Sequence, residues 1–250
     1  MILYAMGDSM TAGAEIQEHG DMNESNKSLA YPMYVANALG YDYCENMALA
    51  GAPNEFILRR AVQDLDAMLQ KRSAEDIRVL IGWSSIMRGE ISIKEHMARN
   101  PMGDKEWYTN VDSHEMFLFD SMFINVNTQH SEHLGDGSLA VEHGTKAKDF
   151  FAEYIWDFEK EYERWFSYIN LMQNYLENKN IKYIFHNTVH GIEVHNRVVN
   201  NPRYYMPKNA MNEWCTENKY ERRKLGHPVE QAHGDYADLL VEYIKNEKLF

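Results

Sequence analysis

Five apolar residues, Ile2–Met6, run without interruption into Gly7-Asp8-Ser9-Met10-Thr11-Ala12-Gly13, where every position but Met10 is small or polar. An apolar run of this length suits a strand covered on both faces, and the small residues behind it suit a tight exit into a helix. Residues 14–28 are polar and predict a loop beside that exit. Residues 31–39 predict a short helix, with Pro32 at its first position and Gly40 behind its end. Residues 41–46 then predict a second strand and residues 47–53 a small-residue turn. From 54 to 70 the apolar positions Phe56, Ile57, Ala61, Leu65, Met68 and Leu69 keep a helical spacing. A third strand, residues 77–81, is interrupted only by Arg78 and ends at Gly82-Trp83-Ser84-Ser85.

Beyond residue 89 the pattern loses its period, and it does not recover until about residue 148. A structureless stretch of that length is unusual inside a compact domain. The expectation is an insertion lying over one edge of the sheet, with short helices of its own at 91–99 and 113–125. Residues 149–178 form the longest periodic segment, with an aromatic stripe that includes Phe151, Tyr154, Phe158, Tyr162, Trp165 and Phe166. Residues 181–186 read as the next strand and 189–214, broken by Pro202 and Pro207, as mostly loop. A last helix at 235–246 turns Tyr236, Leu239, Leu240, Tyr243 and Ile244 inward. Strands alternating with helices predict an α/β protein, a three-layer α/β/α sandwich around a mostly parallel central sheet. A single domain over 1–250 is expected, with 89–148 as an insertion or cap after the third strand.

Composition narrows the function classes. The net charge is −13 over 250 residues, which opposes the electrostatic binding that nucleic acid phosphates require. A local basic patch at Arg222, Arg223 and Lys224 is the exception. No stretch approaches the about 18 apolar residues of a membrane-spanning helix, and no basic segment precedes the first strand as in a secretory leader. Cys44 and Cys215 are too few for a disulfide scaffold and suit a reducing compartment, so a cytoplasmic protein with no membrane partner is expected.

The chemistry gathers at four small clusters. Parallel strands present their functional groups at their carboxyl ends, where Ser9 would sit with its N–H at the start of a helix. Asn46 to Asn54, around Gly51, follows the second strand, and Gly82-Trp83-Ser84-Ser85 follows the third. A glycine at such an exit lets backbone N–H groups approach a ligand. Gly226-His227-Pro228 precedes the last helix. Trp83 would line a pocket or cap the core, and Arg88 would bind a substrate oxygen or form a surface ion pair. His186, His190 and His195, like His130, His133 and His143, lack the acids and spacing of a metal site. No phosphate loop or dinucleotide fingerprint is present, so neither metal nor cofactor is expected.

Taken in this order, the clusters resemble the SGNH hydrolase family, the GDSL-type esterases and lipases, across essentially the whole chain. Gly7-Asp8-Ser9-Met10-Thr11 is similar to its first block, Gly51 to its second, Gly82-Trp83-Ser84 to its third and His227-Pro228 to its last. The resemblance implies an SGNH or flavodoxin-like sandwich and acyl transfer: Ser9 attacks an ester carbonyl and His227 takes its proton. Ser9 and Gly51, helped by Ser84 or Asn54, would hold the oxyanion. Two positions depart from the family. Ser84 stands where asparagine is usual, and Lys224 stands where an acid precedes the histidine by three residues. Glu221, Glu230 or Asp8 could orient His227 instead, or a backbone carbonyl could. The function expected is hydrolysis of an ester, a short acyl or O-acetyl group on a small polar or carbohydrate substrate. An acyltransferase using the same serine, or a binding or structural protein on an SGNH scaffold that has lost its chemistry, are the alternatives.

Overall fold

The computed structural model describes residues 1–17, 24–94, 121–127, 157–189, 201–205 and 210–250, with the backbone alone at 90–94 and 121–127. The chain divides into two compact units, Met1–Ser85 with Phe166–Phe250, and Ile86–Trp165.

The first unit is built on a five-stranded sheet in the order β2-β1-β3-β6-β7, every neighbouring pair parallel. Its strands are β1 (Ile2–Met6), β2 (Tyr43–Asn46), β3 (Ile77–Trp83), β6 (Lys182–Asn187) and the two-residue edge β7 (Tyr204–Tyr205). All of β1 and all of β3 are buried, as expected of central strands covered on both faces. Its helices are α1 (Ser9–Ala12), α2 (Glu24–Lys27), α3 (Tyr31–Ala38), α4 (Asn54–Leu69), α5 (Phe158–Asn178) from Phe166 onward, α6 (Met211–Glu217) and α7 (Glu230–Asn246). Pro32 lies in the first turn of α3, and Gly40 follows its end at φ +70°.

Alternation along the strands separates the two faces. Leu3, Ala5, Leu80 and Ile184 pack with Val35 of α3, Met211 of α6 and Leu240 of α7 in one core. Tyr4 turns the other way and donates its hydroxyl to Asp64 of α4 at 2.9 Å, while Tyr183 donates to Glu177 of α5 at 2.8 Å. Helices on both faces of a parallel sheet make the α/β sandwich expected from the strand–helix alternation.

The second unit holds an antiparallel pair, β4 (Arg88–Lys94) and β5 (Ser121–Asn127), in which Ile91 faces Ile124 and Ile93 faces Met122. Helices expected at 91–99 and 113–125 are therefore corrected over the described residues 91–94 and 121–125, which are strands; the remainder lies outside the described residues. The reason is visible in the chain. Glu90-Ile91-Ser92-Ile93-Lys94 alternates with period two and carries β-branched residues, a strand signal that outweighs a helical one. Three further elements lie where loop was expected, α2 within 14–28 and both β7 and the start of α6 within 189–214, and α7 starts five residues before 235 and takes in Gly234.

Candidate active site

Ser9 is the first residue of α1, immediately past the carboxyl end of β1. A helix of four residues is far below the length that sustains itself in water, so its neighbours must hold it. Asp8 caps it, with Oδ1 accepting from the Met10 N–H at 3.1 Å and Oδ2 from the Ser84 hydroxyl at 3.0 Å. Gly7 is required by close packing: a Cβ there would stand 2.1 Å from Thr11 Oγ1 and 2.9 Å from the Gly82 carbonyl. Among the described residues, neither the Ser9 hydroxyl nor its N–H forms a hydrogen bond. The chain leaving β2 stays beside the chain leaving β1, since Met47 N–H donates to Ala5 O and Leu49 N–H to Gly7 O. Gly51, two residues further on, is exposed at φ +73°, and its N–H is likewise unbonded among the described residues.

His227 sits in a loop between α6 and α7 that is braced on several sides. Arg223 N–H donates to His227 O at 2.8 Å, and Arg222 pairs with Pro228 in a single β-bridge. The Arg222 guanidinium reaches Asn212 Oδ1 and O, Gly226 O and Thr216 Oγ1. Arg223 donates to Ile16 O at 3.2 Å. The two arginines of the expected basic patch are thus bonded to the loop and its supports.

The carboxylate behind His227 belongs to Glu15. Its Oε2 lies 2.8 Å from His227 Nδ1, and the Leu225 N–H donates to both carboxylate oxygens at 3.0 and 3.1 Å. A carboxylate can only accept, so Nδ1 carries a proton in this pair, and in the neutral ring Nε2 is the nitrogen with the free lone pair. Glu15 is buried and held at φ +64°, a left-handed conformation that costs a side-chain-bearing residue of the order of 1–3 kcal/mol. The strain turns its carboxyl group into contact with a loop 212 positions away. No hydrogen bond joins Ser9 Oγ to His227 among the described residues.

The other expected site residues are engaged elsewhere. Of the three acids weighed for orienting His227, Glu230 accepts from Tyr34 OH at 2.6 Å, and Asp8 is taken up by the α1 cap and Ser84. Glu221 is exposed, and its carbonyl accepts from Val229 N–H. Neither expected side-chain donor to an oxyanion is idle. Ser84 spends its hydroxyl on Asp8. Asn54 exchanges bonds with the Ser84 backbone, Oδ1 accepting at 2.8 Å and Nδ2 donating at 3.1 Å. Trp83 is fully buried with its ring edge-on to Phe185 at 5.6 Å, which makes it core. Arg88 opens β4, in the other compact unit.

His186 is fully buried beneath this edge, and burial pushes its pKa down to about 3. Its Nε2 lies 2.8 Å from Tyr31 OH, and its Nδ1 lies 3.1 Å from Tyr236 OH and 3.3 Å from Asn187 O. His233 is also fully buried and pushed down to about 3, by desolvation first and by nearby His227 second. Its Nδ1 accepts from the Tyr31 N–H at 3.3 Å. Among the described residues no group of His, Cys, Asp and Glu could hold a metal ion. His130, His133, His143, His190 and His195 lie outside the described residues. Cys44 and Cys215 are buried free thiols, and no described helix is long and apolar enough to cross a membrane.

No protein-family model and no curated protein matches the sequence. Among the solved structures similar to it are two that match over nearly its whole length. One is a lipolytic-type protein of the G-D-S-L family from Desulfitobacterium hafniense DCB-2, at 12% identity and a TM-score of 0.42, covering 100% of this chain and 99% of that one. The other is a carbohydrate esterase whose active site has divergent catalytic and non-catalytic binding functions. It stands at 10% identity and a TM-score of 0.39, covering 98% of this chain and 68% of its own.

Proposed function

We propose that the chain is a serine-dependent ester hydrolase of the SGNH type, with Ser9 as nucleophile, His227 as general base and Glu15 as the residue that orients it. The observation that carries this reading is the Glu15–His227 pair. A buried carboxylate on Nδ1 fixes the imidazole tautomer, supports the cation formed during attack and leaves Nε2 as the base.

Attack of Ser9 Oγ on the ester carbonyl sends its proton to His227 Nε2 and the developing charge to the carbonyl oxygen. The unbonded N–H groups of Ser9 and Gly51 are the donors available for that charge. Collapse expels the alcohol with the proton returned by His227, and water repeats the sequence to release the acid. The missing Ser9–His227 hydrogen bond is compatible with this, because such bonds are often long in unliganded sites and tighten around substrate. The substrate class is a short acyl or O-acetyl ester on a small polar or carbohydrate alcohol, and the compartment is the cytoplasm.

A second reading, a binding protein on the same scaffold, draws on the commitment of Ser84 and Asn54 to other partners and on the open Ser9–His227 gap. A panel of short-chain acyl esters and O-acetylated sugars, assayed with wild type and Ser9→Ala, separates the two. Turnover lost in Ser9→Ala supports the hydrolase; no turnover by folded wild type leaves the binding protein.

A further inference from the structure

α1 carries the proposed nucleophile yet is only four residues long, and its third residue is held from two sides. The Thr11 carbonyl accepts from Asn46 Nδ2 at 2.8 Å, and the Thr11 hydroxyl lies 2.9 Å from Tyr31 OH. Tyr31 OH in turn lies 2.8 Å from His186 Nε2. Thr11, Tyr31 and His186 are all fully buried and come from α1, α3 and β6.

The proton order of this chain is set at its far end. Asn187 O can only accept, so His186 Nδ1 holds the ring proton and shares it with that carbonyl and Tyr236 OH. Nε2 then accepts from Tyr31, and the Tyr31 oxygen accepts from Thr11. Thr11, Tyr31 and His186 each have a partner in it, and a connected buried network fixes the positions of the groups it joins. Burial holds the imidazole neutral, so the order persists across the working pH range. Space for it is reserved in the backbone. A Cβ at Gly82 would stand 2.6 Å from Thr11 Oγ1 and 3.0 Å from Tyr31 OH. Gly82 thus leaves room for this network, and equally for the Thr188 methyl, which would stand 2.6 Å from the same Cβ.

We propose that Tyr31 and His186 are positioning residues for Ser9, acting through the Thr11 hydroxyl to set where α1 presents its first residue. The inference rests on the hydrolase reading above. Its test uses the purified full chain, p-nitrophenyl acetate as substrate and a fluorophosphonate as serine probe. Thr11→Val and Tyr31→Phe each remove one hydroxyl at nearly constant shape, and Thr11→Ser keeps the hydroxyl. Small misplacements of reacting groups cost large rate factors, so Thr11→Val and Tyr31→Phe lower kcat and the labelling rate about tenfold or more, while KM and the midpoint of the acid limb stay in place. Thr11→Ser stays within about threefold of wild type.

A purely structural role would lower Tm and leave the labelling rate of folded molecules unchanged. That result in either Thr11→Val or Tyr31→Phe overturns the inference, as does failure of both to fold, since the network would then support the fold and not the site. If wild type itself is unlabelled, the hydrolase reading falls and the inference falls with it. Labelled wild type with unimpaired variants overturns the positioning role alone.

Discussion

At the level of single residues, the decisive contact is Glu15 against His227. Glu15→Gln replaces an acceptor-only group with one that can also donate, freeing the imidazole to adopt the other tautomer. The corresponding change in a serine protease costs about 10⁴ in kcat, so a fall in kcat of roughly 10²–10⁴ with little change in KM is expected here. Glu230→Gln and Glu221→Gln, at acids that face Tyr34 and solvent, should leave kcat near wild type. Steady-state kinetics of the three variants checks both statements, and a Glu15→Gln enzyme within threefold of wild type would remove Glu15 from the mechanism. Ser9 is a candidate in the sequence because a strand exit marks it locally, and His227 becomes one through the resemblance of its block. Glu15 has neither mark. It lies in a polar stretch with no periodic signal, and its role depends on a left-handed backbone turn and a partner 212 positions away. The missing acid three residues before His227 was the only pointer that another carboxylate had to be found.

Among the elements, the end of β3 and the start of α4 are joined by Asn54, which bonds the Ser84 backbone in both directions. Asn54→Ala leaves a buried N–H and a buried C=O of Ser84 without these partners, at a cost of the order of 1–3 kcal/mol. For a chain of this size that corresponds to a Tm lower by about 2–4 °C per kcal/mol. Thermal unfolding followed by circular dichroism tests the staple, and an unchanged Tm would count against it. Element type was readable wherever a long period had one interpretation: β1, β3, α3 and α4 lie where the hydrophobic pattern puts them. It fails at β4, where residues 91–94 of the alternating pattern fall inside the expected helix because the irregular sequence around them offers no boundary. It failed again at α6, whose seven residues are too short to show a period.

Across the whole molecule, two buried neutral histidines couple stability to pH. His186 and His233 are held down to about 3 by desolvation, with nearby His227 adding to the effect on His233. Their ordinary value is 6.5, so between 6.5 and 3 the unfolded chain binds more protons than the native one. Their contribution is complete above 6.5 and drains away as pH falls, at up to about 1.4 kcal/mol per pH unit for each histidine. Urea midpoints for wild type at pH 7, 5.5 and 4.5 should therefore fall more steeply than those of His233→Gln, and parallel profiles would contradict the assignment. The parallel sheet and its two helical layers followed from the alternation of strands and helices. The pairing of Glu15 and Ile16 with Arg223, Leu225 and His227 did not, since it is made by loops whose sequence carries no element signal.

The claim on which the rest depends is that Ser9 is a nucleophile activated by His227. Intact-mass analysis after exposure to a fluorophosphonate, with peptide mapping of the adduct, tests it most directly. A single adduct on the peptide carrying Ser9, absent in Ser9→Ala and strongly slowed in His227→Ala and Glu15→Gln, is the result this account predicts. Folded wild-type protein that takes up no label, or takes it up at another residue, would contradict it.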